Sequence, residues 1–153
     1  MKKVLLAGLL CLVMLVTLTG CGDKTVQTAG GFSQLAQEQG CTVADATEQF
    51  ASEEVVQSVT LAQHADGWQV EFYVLTDADA AGNMFDYNKS TFESSKGSSS
   101  TESSANLGNY SSYSLTTDGT YKYLCRVDNT VVYVDVDSTY KDAVKDLIKA
   151  MGY

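Results

Sequence analysis

The chain has 153 residues, 44% of them hydrophobic and 19% charged, a composition typical of a globular domain. It carries 19 acidic residues against 10 basic ones, a formal charge of −9 at pH 7. This charge argues against nucleic acid and anionic lipid surfaces as binding partners, because both are themselves negative.

The first 20 residues have the pattern of an export signal. Lys2 and Lys3 form a positive start, and the apolar run from Val4 to Leu18 suits a signal peptide but is short for a spanning helix. An ordinary secretory signal and an uncleaved membrane anchor are the alternatives. We expect residues 1–20 to be a targeting segment.

The residues that end this segment, Leu18-Thr19-Gly20-Cys21, resemble the lipobox of bacterial lipoproteins. The resemblance implies cleavage before Cys21 and attachment of a diacylglyceryl group to its sulfur. Each buried acyl CH₂ contributes about 0.8 kcal/mol, so two fatty acid chains such as palmitate hold a soluble domain on a bilayer. We therefore expect a lipoprotein anchored to the cell membrane and facing outside the cytoplasm.

The mature chain would keep eight basic residues against 19 acidic ones, a balance of −11. Gly22–Gly31 is polar and ends in two glycines, which predicts a flexible tether over residues 21–31 that starts at the lipidated Cys21. Residues 32–153 are then long enough for a single domain.

The elements of the first half follow from hydrophobic spacing. Helical spacing predicts a short helix over Phe32–Gln39, followed by a strand over Cys41–Ala46. From Ser58 to Leu75 apolar residues alternate around an Asp66-Gly67 turn, which predicts a β-hairpin. Asp77 and Asp79 favour the start of a helix that runs to about Ser94.

The second half contains a serine-rich stretch, three strands and a helix. Residues 94–104 have too little apolar surface for a core, so we expect an exposed loop, with a weakly paired edge strand as the alternative. Tyr110–Leu115, Tyr121–Val127 and Thr130–Val136 alternate as strands of a meander. Asp137 and Ser138 are helix caps, and helical spacing continues to Met151.

These elements predict an α+β fold, with an antiparallel sheet of five to six strands and helices packed on one face. The hairpin-then-helix order occurs twice, which indicates either two ββα units or coincidence. The stretches Val70–Leu75, Arg126–Asp137 and Met151–Tyr153 resemble small bacterial envelope lipoproteins to which no activity is attached. That resemblance supports the fold and adds no mechanism.

Two cysteines, Cys41 and Cys125, remain after processing. An even pair in an exported domain permits a disulfide between them. Cysteine is also a common buried apolar residue, so two free thiols are the alternative.

Residues that could carry catalysis are few. His64 is the one histidine and lies in a predicted turn, which favours a solvent-facing role over a catalytic triad. Asp135 and Asp137 share a strand face and suit a polar surface and a helix cap better than glycoside cleavage. Asp77, Asp79 and Gly82 match a calcium loop only in part. We expect no cofactor, no metal and no catalysis.

Five tyrosines fall on the predicted meander and are the candidate binding face: Tyr110, Tyr113, Tyr121, Tyr123 and Tyr133. Aromatic side chains on an open sheet face stack on sugars or anchor a protein, and cross-strand packing is the alternative. We expect a non-catalytic binding module for a protein or glycan. The alternatives are an inhibitor of a basic secreted enzyme and, least favoured, an envelope hydrolase.

Overall fold

The computed structural model describes residues 23–153, and the signal segment and Cys21 lie outside the described residues. The described part contains α1 (Ala29–Glu38), α2 (Ala78–Ser94) and α3 (Lys141–Ala150). Its strands are β1 (Thr42–Asp45), β2 (Val56–Gln63), β3 (Gln69–Leu75), β4 (Ser100–Leu107), β5 (Tyr110–Thr117), β6 (Thr120–Val127) and β7 (Thr130–Asp137).

The strands form one antiparallel sheet in the order β1-β2-β3-β7-β6-β5-β4, which confirms the predicted α+β class. The sheet has seven strands rather than five to six. The additional strand is β4, in the serine-rich stretch, and all eight of its residues pair with β5. Strand pairing uses backbone N–H and C=O groups, so a stretch with no apolar face can still join a sheet.

The helices cover both faces of the sheet, so the prediction that they pack on one face is wrong. α1 and α3 pack on the face that carries Phe72 and Val132, and α2 packs on the face that carries Tyr73 and Val131. These four side chains are at most 4% exposed. Neighbouring residues of a strand point to opposite faces, so continuous apolar runs such as these indicate burial on both sides.

The two predicted strand–strand–helix stretches are present as β2-β3-α2 and β6-β7-α3. Their strands β3 and β7 lie side by side at the centre of the sheet. The two helices pack on opposite faces, so the units do not repeat the same arrangement.

The sheet is wider than its helical cover. α2 packs on β3, β5, β6 and β7, and α1 packs on β1, β2 and β3. All eight residues of β4 are exposed. The apolar core therefore ends at β5, and open grooves lie next to β4 on both faces of the sheet.

The segment before α1 differs from the predicted tether. α1 begins at Ala29, because the Thr28 Oγ1 accepts a hydrogen bond from the Gly31 N–H at 3.0 Å and Phe32 is buried. Residues 23–31 are therefore part of the domain. The glycines at 30 and 31 each cost the helix about 1 kcal/mol, and the cap and the burial of Phe32 offset this.

Replacing Phe32 with Ala tests whether α1 belongs to the core. Phe32 is fully buried, and its ring stacks on Phe72 with centroids 4.9 Å apart. Removing the ring leaves a cavity, so we expect the free energy of unfolding to fall by about 3–5 kcal/mol. Chemical denaturation measures this change.

The matched control is Val55→Ala, at a side chain that is 47% exposed. It should change the free energy of unfolding by less than about 0.5 kcal/mol. An equally small loss for Phe32→Ala would contradict the burial of α1 against the sheet.

Candidate functional site

The five candidate tyrosines do not share one face. Tyr113 lies opposite Leu124, which lies opposite Tyr133, so these two tyrosines are on the α2 side of the sheet. Tyr110, Tyr121 and Tyr123 are on the α3 side. Tyr110 and Tyr113 lie three residues apart on β5, so alternation along that one strand already places them on opposite faces. The pairing of β6 with β7 sets Tyr133 opposite Leu124 rather than opposite Tyr123.

Two of these tyrosines are core residues rather than surface ones. Tyr113 is 2% exposed and Tyr121 is 1% exposed. The Tyr113 hydroxyl donates a hydrogen bond to Glu102 Oε2 at 2.9 Å, and burial raises the pKa of Tyr121 to about 12. Tyr133 is half-buried and its ring packs against Phe92. These three side chains stabilise the fold, as the packing alternative predicts.

The α3 side contains a groove of about 340 Å³ beside β4, which we call the tyrosine groove. Its wall on the helix carries the exposed Lys145 and Lys149. Its other wall is lined by tyrosines and serines: Tyr110, Tyr121, Tyr123, Ser103, Ser112, Ser114 and Tyr153. Tyr110 and Tyr123 are only half-buried, so their rings are the ones that a ligand can reach.

The α2 side contains a larger opening of about 550 Å³, which we call the Arg126 pocket. Arg126, Ser111 and Asn106 line it from the sheet. Asp79, Gly82, Asn83 and Asp86 line it from α2. The pocket therefore combines one cation, two carboxylates and several neutral polar groups.

Sequence reasoning missed Arg126 as a site residue. Alternation along β6 puts its side chain on the same face as Lys122 and Leu124. Arg126 is the single arginine of the chain, and it is the penultimate residue of β6. A charged residue within an alternating strand pattern is the signal that could have identified it, because strands that pack on helices seldom carry charges without a partner.

The carboxylates considered for catalysis have structural partners. Asp77 Oδ1 accepts from the Ala80 N–H at 2.8 Å and caps α2, and Asp137 Oδ1 accepts from the Thr139 N–H at 2.8 Å. The hydrogen bonds from Thr139 hold the pKa of Asp137 below its usual range. Asp135 pairs with Lys122. Each of these three aspartates therefore has a structural role, as a helix cap or in an ion pair, that accounts for its presence without a catalytic role.

His64 lies between β2 and β3 and stacks on Trp68, with ring centroids 5.0 Å apart. Its Nδ1 accepts a hydrogen bond from the Asp66 N–H at 3.2 Å. Within residues 23–153 no group of three or more His, Cys, Asp or Glu side chains is arranged to hold a metal ion. In the same part of the chain, no helix has the length and apolar character needed to cross a bilayer.

Cys41 and Cys125 are both buried, and both are free thiols in the described structure. Each packs in the core that α1 and α3 share with the sheet. Burial raises the pKa of the Cys125 thiol to about 12 and also raises the pKa of Cys41. They behave as small apolar side chains, which is the alternative considered from sequence.

Comparison of this chain with protein-family models, with curated proteins and with solved structures finds no match.

The buried thiols make a testable prediction about reactivity. A thiol with a pKa of about 12 is ionised in about one molecule in 10⁴ at pH 8, and only the thiolate reacts with iodoacetamide. We expect Cys125 of the native protein to resist alkylation and to react fully in urea. Mass spectrometry of the Cys41 and Cys125 peptides measures both. Equal labelling rates in the native and unfolded protein would contradict the burial.

Proposed function

We propose that this chain is a lipid-anchored extracytoplasmic binding protein that takes a glycan in the tyrosine groove. The anchor is the thioether of Cys21 implied by the lipobox resemblance. The observation that supports binding is the tyrosine groove, where two accessible phenol rings, serine hydroxyls and two lysines surround one opening.

The segment before α1, residues 23–28, is attached to the rest of the domain by hydrogen bonds. The Lys24 N–H donates to Asn109 Oδ1 at 2.8 Å, and Asn109 Nδ2 donates back to the Lys24 carbonyl at 2.9 Å. The Gln27 N–H donates to the Tyr153 hydroxyl at 2.9 Å. The segment therefore runs along the end of the sheet where β4 turns into β5.

This attachment limits how far the domain can move from an anchor on Cys21. Only Gly22 separates Cys21 from Asp23 in the sequence. Two residues span at most about 7 Å, so a lipidated Cys21 would hold the β4–β5 turn close to the bilayer surface. Tyr110 follows this turn directly, so the tyrosine groove would open beside the membrane.

The chemistry of the groove suits a glycan. Phenol rings pack on the apolar C–H faces of sugars, and serine hydroxyls exchange hydrogen bonds with sugar hydroxyls. Lys145 and Lys149 add positive charge to an otherwise acidic protein and would attract the carboxylates that acidic sugars carry. A cell-wall glycan is the ligand of this chemistry that an anchored envelope protein would meet.

A second candidate, an inhibitor of a basic secreted enzyme, is favoured by a different surface. An apolar groove of about 420 Å³ lies between α2 and β3, with Tyr87 73% exposed and Val55 47% exposed at its rim. Glu53 borders it, and the mature balance is −11. An exposed apolar patch with acidic neighbours is typical of a site for a basic protein partner.

A sedimentation assay with insoluble cell-wall glycan tests the first candidate. We expect Tyr123→Ala and Tyr110→Ala each to weaken retention about three- to tenfold, since an aromatic contact contributes roughly 0.5–1.5 kcal/mol. Tyr87→Ala, on the other face, is the matched control and should bind like the original chain.

Two results would contradict glycan binding in this groove. One is that the original chain is not retained, and the other is that the Tyr110 and Tyr123 variants are retained as well as the original chain. A complex with a basic enzyme that is lost with Tyr87→Ala and at about 0.5 M salt would support the inhibitor instead.

A further inference from the structure

Arg126 is a half-buried cation without a charged partner. Its one side-chain hydrogen bond is from Nη2 to Ser111 Oγ at 3.4 Å, although a guanidinium has five N–H donors. Within residues 23–153 no carboxylate oxygen lies within 4.0 Å of it. Within the same residues no unpaired side-chain nitrogen or oxygen is fully buried, so the N–H groups of Arg126 that lack a protein partner can be reached from the pocket.

Lys122, on the same strand and the same face, differs from Arg126 because its charge has partners. Its Nζ pairs with Asp135 and lies 5.0 Å from the centre of the Phe92 ring. The contrast is therefore local: two cations four residues apart are both half-buried, and only one of them has an acidic neighbour.

The two carboxylates that line the pocket with Arg126 do not touch it. Asp79 and Asp86 lie seven residues apart on α2, a spacing that places them on one side of the helix, with Asn83 between them. Neither forms an ion pair within the described residues. One wall is thus negative, the opposite wall is positive, and a gap wider than 4.0 Å separates them.

The helix wall of the pocket includes Gly82, and the space in front of it is empty. A Cβ added at this position would meet no atom within 4 Å. The pocket of about 550 Å³ lies in the size range of small-molecule sites.

The charges of the pocket select the class of ligand. A simple anion is attracted by Arg126 but repelled by Asp79 and Asp86. A simple cation is attracted by the two aspartates but repelled by Arg126. A molecule with a carboxylate at one end and an ammonium at the other matches both walls. Asn83, Asn106 and Ser111 can exchange hydrogen bonds with peptide groups between the two ends.

We propose that the Arg126 pocket binds a zwitterionic ligand of the amino acid or short peptide class. The carboxylate of the ligand accepts hydrogen bonds from the Arg126 guanidinium, and its ammonium donates to Asp79 and Asp86. The pocket lies on the opposite face of the sheet from the tyrosine groove, so this proposal is independent of glycan binding.

The single arginine gives a direct test by nuclear magnetic resonance. The full chain has one Arg Nε–H, so its ¹⁵N-correlated resonance needs no assignment by mutation. The probes are glycine, diglycine, triglycine and tetraglycine, which differ in the distance between their charges. We expect at least one probe to shift this resonance saturably at millimolar concentration.

Blocking either end of the best probe identifies the contacts. N-acetylation removes the ammonium and amidation removes the carboxylate, and we expect each to weaken binding at least tenfold. In the Asp79→Asn, Asp86→Asn double variant the zwitterion should bind at least tenfold more weakly, while the acetylated probe should bind more tightly because two repelling charges are gone. A pocket that merely attracts anions to an arginine would not give these opposite directions.

Two further variants separate binding from folding. Gly82→Leu adds a side chain where a Cβ meets no atom within 4 Å, and leucine is a better helix former than glycine, so it should remove binding without lowering the thermal unfolding midpoint. Lys122→Gln is the control for loss of a cation on the same strand and should leave the affinity unchanged.

The proposal is overturned if no probe shifts the Arg126 resonance up to about 50 mM. It is also overturned if the acetylated probe binds the original chain as tightly as the zwitterion does, or if Gly82→Leu leaves binding unchanged.

Discussion

The packing of three helices on a seven-stranded sheet leaves the β4 edge of that sheet uncovered. This incomplete cover determines where the core ends and where the two candidate sites lie. Apolar side chains continue from β3 through β7 and β6 to β5, where Phe85 and Phe92 of α2 bury Tyr113 and Leu124. Beyond them β4 has only exposed residues. The core ends at β5 because serine and threonine offer too little apolar surface to bury a helix against.

Both candidate sites lie where the helical cover ends. The tyrosine groove lies between α3 and β4–β6, and the Arg126 pocket lies between α2 and the same three strands. At each place a helix flank forms one wall and the polar residues of β4 and β5 form the other. Concave polar surfaces therefore arise from the width of the sheet, without a dedicated loop. The docking of Lys24 on Asn109 would bring the end of the sheet where β4 meets β5 close to the anchor.

The sequence predicted the elements that depend on local chemistry. Asp77 caps α2 as expected, and the predicted Asp66-Gly67 turn connects β2 to β3 with Gly67 at positive φ. Three features could not be read from local patterns. β4 pairs through its backbone and its side chains give no periodic signal, so an edge strand could be given only as the alternative to a loop. Helical spacing in α2 does not say which sheet face it covers. The isolation of Arg126 depends on how strands and helices come together in three dimensions.

Amide hydrogen exchange of the full chain tests most directly whether the sheet and its N-terminal segment are arranged this way. Strand β7, buried between two neighbours and two helical layers, should exchange most slowly, whereas about half of the β4 amides face the open edge and should exchange fast. The amides of Lys24 and Gln27 should be protected by Asn109 and Tyr153. Slow exchange along all of β4, or exchange of Lys24 and Gln27 at the rate of an unfolded peptide, would contradict the account.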